Sequence, residues 1–265
     1  MIQPEQIKLF FPASIRENAS FQKYMIKEYI QLLILDFLST TPFIRKIVLI
    51  GGANLRFVKG IDRFSEDLDF DCKDVSKEEF IEMTDAIINF LKRNGLRIEV
   101  RDRENRRLTA FRRNLLFPEL LFDLGLSGHK EERFLIKIEA EDQQMSYQPV
   151  MVNIKGCGFY FPFPVPPDGV LCSMKLSAML SRQKGRDFYD VMFLLAQTQA
   201  DYSFLSDMQG INNLDELKTA TADIIENIDI NKKKRDFEHL LFNKKRSERI
   251  LLIEDFFLEL EQRSN

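Results

Sequence analysis

Residues 67–71 read Asp-Leu-Asp-Phe-Asp, and they restrict the possible folds more than any other stretch. Alternation at period 2 is a strand with one acidic face and one apolar face. The apolar face requires a packed layer behind the sheet. The acidic face requires a cation, because carboxylates crowded on one side of a strand repel one another. Asp67 and Asp69 leave the strand on the same side, close enough to share one or two divalent ions, and Asp71 follows one step further out. Such a pair suits metal-assisted phosphoryl transfer. Upstream, residues 46–50 (KIVLI) read as a short buried strand running into Gly51-Gly52 and then a helix. That order places backbone N–H groups where a phosphate can be cradled. Neither GxxxxGK[ST] nor GxGxxG occurs.

The remaining pattern predicts an α/β (α+β) chain with a mixed sheet and a helical C-terminal region. A helix is expected over 20–39, where Phe21, Met25, Leu32 and Leu33 recur at helical spacing. Another is expected over 76–93, opened by Ser76 and Glu79 at capping-box spacing and closed near Gly95. Strands are expected near 96–101, 107–113, 118–124, 134–140 and 147–154. Residues 156–169 contain four prolines and read as a loop and domain boundary, dividing the chain into 1–165 and 166–265. Helices are then expected over 170–183, 187–199, 213–228, 232–240 and 245–262.

A third carboxylate would complete an acidic site. Glu139 is the first candidate, with Lys137 beside it to balance phosphate charge. Asp123, within an apolar run, is the rival. Further on, Lys175 and Arg182 are seven residues apart and share a helical face. Two cations there match the charge of a nucleoside triphosphate. Arg186, Asp187 and Asp190 follow, either orienting those cations or locking two helices together by ion pairs. Arg56, Lys59 and Arg63 lie between the glycines and the aspartates and would steer phosphate or RNA. Ser65 would brace a phosphate or cap the turn.

Taken in order, these residues resemble the nucleotidyltransferase toxins of the AbiEii/AbiGii group, within the DNA polymerase β-like nucleotidyltransferase superfamily. The first motif resembles Gly51-Gly52 with Leu55-Arg56. The second resembles Arg63, Ser65, Asp67, Leu68, Asp69 and Phe70, and the third resembles Glu139. The fourth resembles Lys175, Arg182, Arg186, Asp187, Tyr189 and Asp190. The resemblance implies a nucleotidyltransferase fold with Mg2+ or Mn2+ on Asp67 and Asp69, assisted by Glu139. It implies an NTP held by Gly51, Gly52, Lys175 and Arg182, and an essential Asp187. It also implies a tRNA acceptor and a winged-helix antitoxin partner within a toxin–antitoxin or abortive-infection operon. The helical region is expected to close the nucleotide cleft.

Other acceptors stay open at this point. The same chemistry would serve a protein hydroxyl or an aminoglycoside-like small molecule, and a non-catalytic nucleotide-binding module would keep the fold alone. Composition removes other classes. The net charge of −3 argues against a uniformly basic nucleic-acid coat, though a local basic groove remains compatible with it. Cys72, Cys157 and Cys172, with only His129 and His239, lack the spacing of a zinc site and suggest no disulfide scaffold. Met1 to Phe11 has no apolar signal-peptide core, and charges interrupt every apolar stretch before 18 residues. The cytoplasm, without membrane attachment, is the expected location.

Overall fold

A computed structural model of the chain describes residues 2–101 and 110–261. The chain forms two compact units, the first comprising Met1–Gly60 and Phe64–Val165, the second Ile61–Arg63 and Pro166–Asn265. The polypeptide thus enters the second unit for three residues and returns.

The first unit holds β1 (Ile47–Ile50), β2 (Leu68–Cys72), β3 (Glu99–Val100), β4 (Phe111–Leu116) and β5 (Leu135–Glu141) in one mixed sheet, ordered β1-β2-β5-β4-β3. The β2–β5 pairing is parallel and the other pairings are antiparallel. A separate antiparallel ribbon joins β6 (Val150–Gly156) and β7 (Phe159–Val165). Helices α1 (Pro4–Lys8), α2 (Ala13–Arg16), α3 (Gln22–Ser39), α4 (Gly51–Phe57), α5 (Lys77–Arg93) and α6 (Leu120–Asp123) complete this unit.

Helix α3 is the hub, packing on α1, α5 and β7. Met25, Ile26, Ile30, Leu32, Ile34, Leu35 and Leu38 are buried around most of its circumference. Its Phe37 ring stacks on Phe90 of α5, with centroids 4.3 Å apart. In α5 the buried side chains Phe80, Met83, Thr84, Ile87, Ile88 and Leu91 form one stripe at helical spacing. The Ser76 hydroxyl accepts from the Glu79 N–H at 3.2 Å, and the Glu79 carboxylate accepts from the Ser76 N–H at 3.0 Å. The capping box expected from the sequence therefore starts this helix.

Two sequence expectations are overturned here. Residues 118–124 are not a strand. Pro118 lacks an N–H with which to continue the β4 ladder, Glu119 adopts a left-handed φ of 54°, and the chain turns into α6. Residues 156–169 are not one loop, because β7 occupies 159–165. Pro162 and Pro164 are accommodated since β7 pairs with β6 alone, so alternate residues need no ladder donor. Phe161, Phe163 and Val165 between them are buried. Of the strand expected over 107–113, residues 107–109 lie outside the described residues, and β4 occupies 111–116.

The second unit is helical, with α7 (Asp168–Arg182), α8 (Gly185–Leu195), α9 (Tyr202–Gln209), α10 (Leu214–Glu226), α11 (Ile230–Arg235) and α12 (Ile253–Glu259). Helix α9 has no counterpart among the expected helices. The helix expected over 245–262 divides into a 3-10 segment, Lys244–Leu252, followed by α12; residue 262 lies outside the described residues.

At the centre of this unit is a fully buried carboxylate. Asp190 accepts two hydrogen bonds from Arg63, each 2.7 Å, and one from Lys175 at 2.9 Å. Burial pushes its pKa up, but Arg63 and Lys175 outweigh burial and hold it down at about 2. Nearby, Tyr189 donates to Asp62 at 2.7 Å, and Asp62 also pairs with Arg246. These contacts, with a bridge from Arg63 to Leu241, fix residues 61–63 to the helical unit.

Asp190→Asn leaves two buried cations without their counter-charge. It is expected to lower the unfolding free energy by about 3–5 kcal/mol, read from urea denaturation at neutral pH. Because the folded-state pKa is depressed, the native contribution is complete above about pH 4 and disappears as pH falls through about 2. A loss under about 1 kcal/mol would mean that the two cations need no anionic partner.

Candidate active site on the acidic sheet face

Register assembles the site from four strands. Ile50 of β1 lies opposite Asp69 of β2, Asp69 opposite Glu139 of β5, and Glu139 opposite Arg112 of β4. Asp67 immediately precedes β2. Because side chains alternate, Asp67 and Asp69 share a face with Lys137, Glu139 and Arg112, while Leu68, Phe70, Ile136 and Ile138 are buried on the other. The sequence-predicted residues Gly51, Asp67, Asp69 and Glu139 therefore come together within the first unit.

The acidic face carries its own counter-ions. Lys137 Nζ lies 3.1 Å from Asp67 Oδ2 and 3.2 Å from Glu139 Oε2, bridging the two carboxylates. Burial lowers the Lys137 pKa, yet the attraction of Asp67 and Glu139 is greater overall and raises it. Arg112 pairs with Glu139 from the other side. Asp71 accepts from Tyr147 and, at 3.1 Å, from the Gln143 N–H, which occupies it with residues following β5. Burial raises the Asp71 pKa against these hydrogen bonds. Lys27 of α3 also feels this face. Burial lowers its pKa, and the charges of Asp67 and Glu66 partly oppose the shift.

Gly51 fits against Asp69 because it has no side chain. Its φ is +70°, and a Cβ there would lie 2.9 Å from Asp69 Cβ, 3.0 Å from Cγ and closer still to a carboxylate oxygen. The turn into α4 is also held by Asn54, which donates to the Leu49 carbonyl at 2.8 Å. Ser65 donates to the Asp67 carbonyl at 3.2 Å, and Gln31 of α3 donates to the same oxygen at 3.3 Å. Arg56 makes two bonds to Glu28, at 2.8 and 2.9 Å, tying α4 to α3. Gly52, the second residue of α4, is half-buried.

The rival carboxylate lies elsewhere. Asp123 ends α6, pairs with Arg97, and has a side chain 47% exposed, so the cost of burying it in an apolar strand does not arise. Sequence reading missed Arg112, Tyr147 and Lys27. A signal for Lys27 was present, since Lys23, Lys27 and Gln31 recur every four residues along one face of a largely apolar helix.

Lys175, Arg182 and Asp187 belong to the second unit. Lys175 is 6% exposed and bonded to Asp190. Arg182 makes two bonds to the buried Asp187, at 2.9 and 2.7 Å, while its own side chain is 45% exposed. Asp187 also accepts from the Lys184 N–H at 3.1 Å, satisfying a donor at the start of α8.

The sequence profile of a family described as nucleotidyl transferase AbiEii toxin, type IV toxin–antitoxin system, matches residues 33–209. The chain belongs to the AbiEii nucleotidyltransferase toxin family. Similar solved structures carry the same fold. MenT4, a nucleotidyltransferase toxin from Mycobacterium tuberculosis, matches with a TM-score of 0.61 at 16% identity, over 98% of this chain and 91% of its own. JHP933 from Helicobacter pylori matches at 0.53 and 19%, over 89% of this chain and 91% of its own. A nucleotidyltransferase structure from H. pylori, assigned that activity provisionally, matches at 0.53 and 19%, over 90% and 98%. No curated protein gives a significant match. The chain is accordingly a nucleotidyltransferase of the AbiEii family. Among the described residues no helix is long and apolar enough to cross a membrane.

Within this AbiEii chain, Gly51→Ala is expected to cost about 1–3 kcal/mol through the positive φ alone. It should also push the Asp69 carboxylate aside, so nucleotidyl transfer should fall more steeply than stability. Thermal unfolding and a transfer assay on the same preparation separate the two effects. Native activity in a folded variant would show that Asp69 need not sit against residue 51.

Proposed function

We propose that the chain moves an NMP from an NTP to an acceptor hydroxyl on RNA, a tRNA by resemblance, as the toxin of a toxin–antitoxin or abortive-infection pair. Its partner in that reading is a winged-helix antitoxin. The observation that carries the proposal is the apposition of Asp67, Asp69 and Glu139 on one sheet face with the Gly51 backbone pressed against Asp69.

The donors on this face are carboxylate oxygens, which suit Mg2+ or Mn2+. Among the described residues no three metal-binding side chains converge into a cage. Two aspartates nevertheless fit the usual Mg2+ arrangement, in which substrate phosphates complete the coordination. Such an ion, bound with the triphosphate, would neutralise phosphate charge and favour the deprotonated hydroxyl.

The chain's own residues have distinct parts in this reading. Asp67 and Asp69 hold the ion. Glu139 joins them only by releasing Lys137 and Arg112. Lys137, released by Glu139 and by Asp67 as that carboxylate turns to the ion, is placed to meet the phosphates. Gly51 and Gly52 contribute main-chain N–H donors to the nucleotide, and Ser65 and Arg56 keep the loop and α4 in position. Arg182, half exposed and held by Asp187, is a cation of the helical unit that the resemblance assigns to the nucleotide. Lys175 and Asp187, each engaged in a buried ion pair, act by holding Asp190 and Arg182. In the transfer itself the acceptor oxygen bonds to the α-phosphorus, the bond to the bridging oxygen breaks, pyrophosphate leaves and the hydroxyl proton is released.

The test is incorporation of each labelled NTP into total RNA with Mg2+ or Mn2+, comparing the native chain with Asp67→Ala/Asp69→Ala. Labelling of a tRNA-sized band should drop at least about a hundredfold in the variant. Equal labelling by both would remove the acidic face from the chemistry. NTP binding without RNA labelling would move the acceptor to a protein or small molecule.

A further inference from the structure

We propose that α11 and the 3-10 segment Lys244–Leu252 form a docking tract for the phosphate backbone of the acceptor RNA. The proposal rests on RNA being the acceptor and adds the surface that holds it. Between residues 232 and 249 there are eight Lys or Arg against three Asp or Glu, in a chain whose net charge is −3. Positive charge is thus concentrated here against the overall balance.

The concentration is built into the fold. Phe237, Leu240, Leu241 and Ile250 are buried beneath it. Ser247 donates to Glu238 at 2.9 Å, linking the turn after α11 to the 3-10 segment. On that base Lys232, Arg235, Lys244, Lys245, Arg246 and Arg249 are exposed. Arg246 pairs with Asp62. Among the described residues, none of the other cations between 232 and 249 makes an ion pair. A solvated helix face ordinarily intersperses both signs, whereas cations left unmatched repel one another until an anion arrives. A polyanion releasing its own counter-ions is the partner such a tract favours.

The tract is also continuous with the family's fourth motif. A Cβ at Gly185, the first residue of α8, would lie 2.7 Å from the Lys233 carbonyl carbon and 3.0 Å from the Phe237 ring. The backbone of α11 therefore rests directly on the start of α8, next to Arg186 and close in sequence to the Arg182–Asp187 pair. Leu251 and Leu252 are exposed at the far end of the segment. They make an anionic membrane the rival partner, and the test includes it.

The variant Lys232→Gln/Arg235→Gln/Lys244→Gln/Lys245→Gln changes only exposed side chains of the full-length chain. Thermal unfolding checks that its fold is retained. In the labelling assay near 0.1 M salt its KM for tRNA should rise at least about tenfold, with kcat and NTP binding unchanged. The salt dependence of direct tRNA binding should flatten by up to about one logarithmic unit per cation that contacted a phosphate. An unchanged tRNA KM and salt slope would overturn the proposal. So would loss of binding to phosphatidylserine vesicles with tRNA binding intact. If the native chain labels no RNA, the acceptor assignment fails instead. Direct tRNA binding that the four substitutions weaken would then still support the tract, and tRNA binding that they leave unchanged would not.

Discussion

Crowded carboxylates on a sheet face must be compensated, and much of the first unit answers that requirement. Parallel pairing of β2 with β5 sets Asp69 beside Glu139, a combination that would be repulsive alone. Lys137 bridges Asp67 and Glu139, Arg112 takes the outer side of Glu139, and Tyr147 covers Asp71. The face is therefore a balanced network rather than bare negative charge. In the proposed reaction, a divalent ion arriving with a triphosphate would have to displace the Lys137 ammonium, which would make metal and nucleotide binding interdependent.

A second balance operates in the helical unit and takes a different form. Around Asp190 the charges are out of water, matched two cations to one anion, and hydrogen-bonded with short geometry. Breaking such a group costs more than an exposed pair, because a buried charge left alone has no solvent to turn to. The two networks thus suit different purposes. One lies on a partly exposed face, while the other is buried and holds helices and the 61–63 segment in place.

The sequence exposed the local features and concealed those made by distant partners. The alternation at Asp67–Asp71, the Ser76–Glu79 box and the apolar stripe of α5 are written in neighbouring residues, and the structure contains each. The prolines of β7 misled, because their tolerance depends on an unpaired edge that only the assembled ribbon defines. Residues 118–124 misled because apolar character alone does not separate a short helix from a strand, and the Pro118 stop was the deciding signal. At the acidic face, residue types were legible but pairings were not. Arg112 and Glu139 meet through strand register, and Arg63 finds Asp190 across 127 positions of chain. Arg56 was legible as a cation, but its engagement with Glu28 was visible only once α3 and α4 were packed.

The three-residue visit of Ile61–Arg63 to the helical unit bears on how the chain comes off the ribosome. Arg63 is made early, and its carboxylate partner emerges more than a hundred residues later. Until then the guanidinium waits, and loop closure of that length is slow relative to local helix formation. A fragment starting at Pro166 would carry Asp190 with only one of its two cations. The helical unit therefore cannot be completed by its own contiguous stretch of sequence, and a nascent chain completes the Asp190 network only after most of its length has been synthesised.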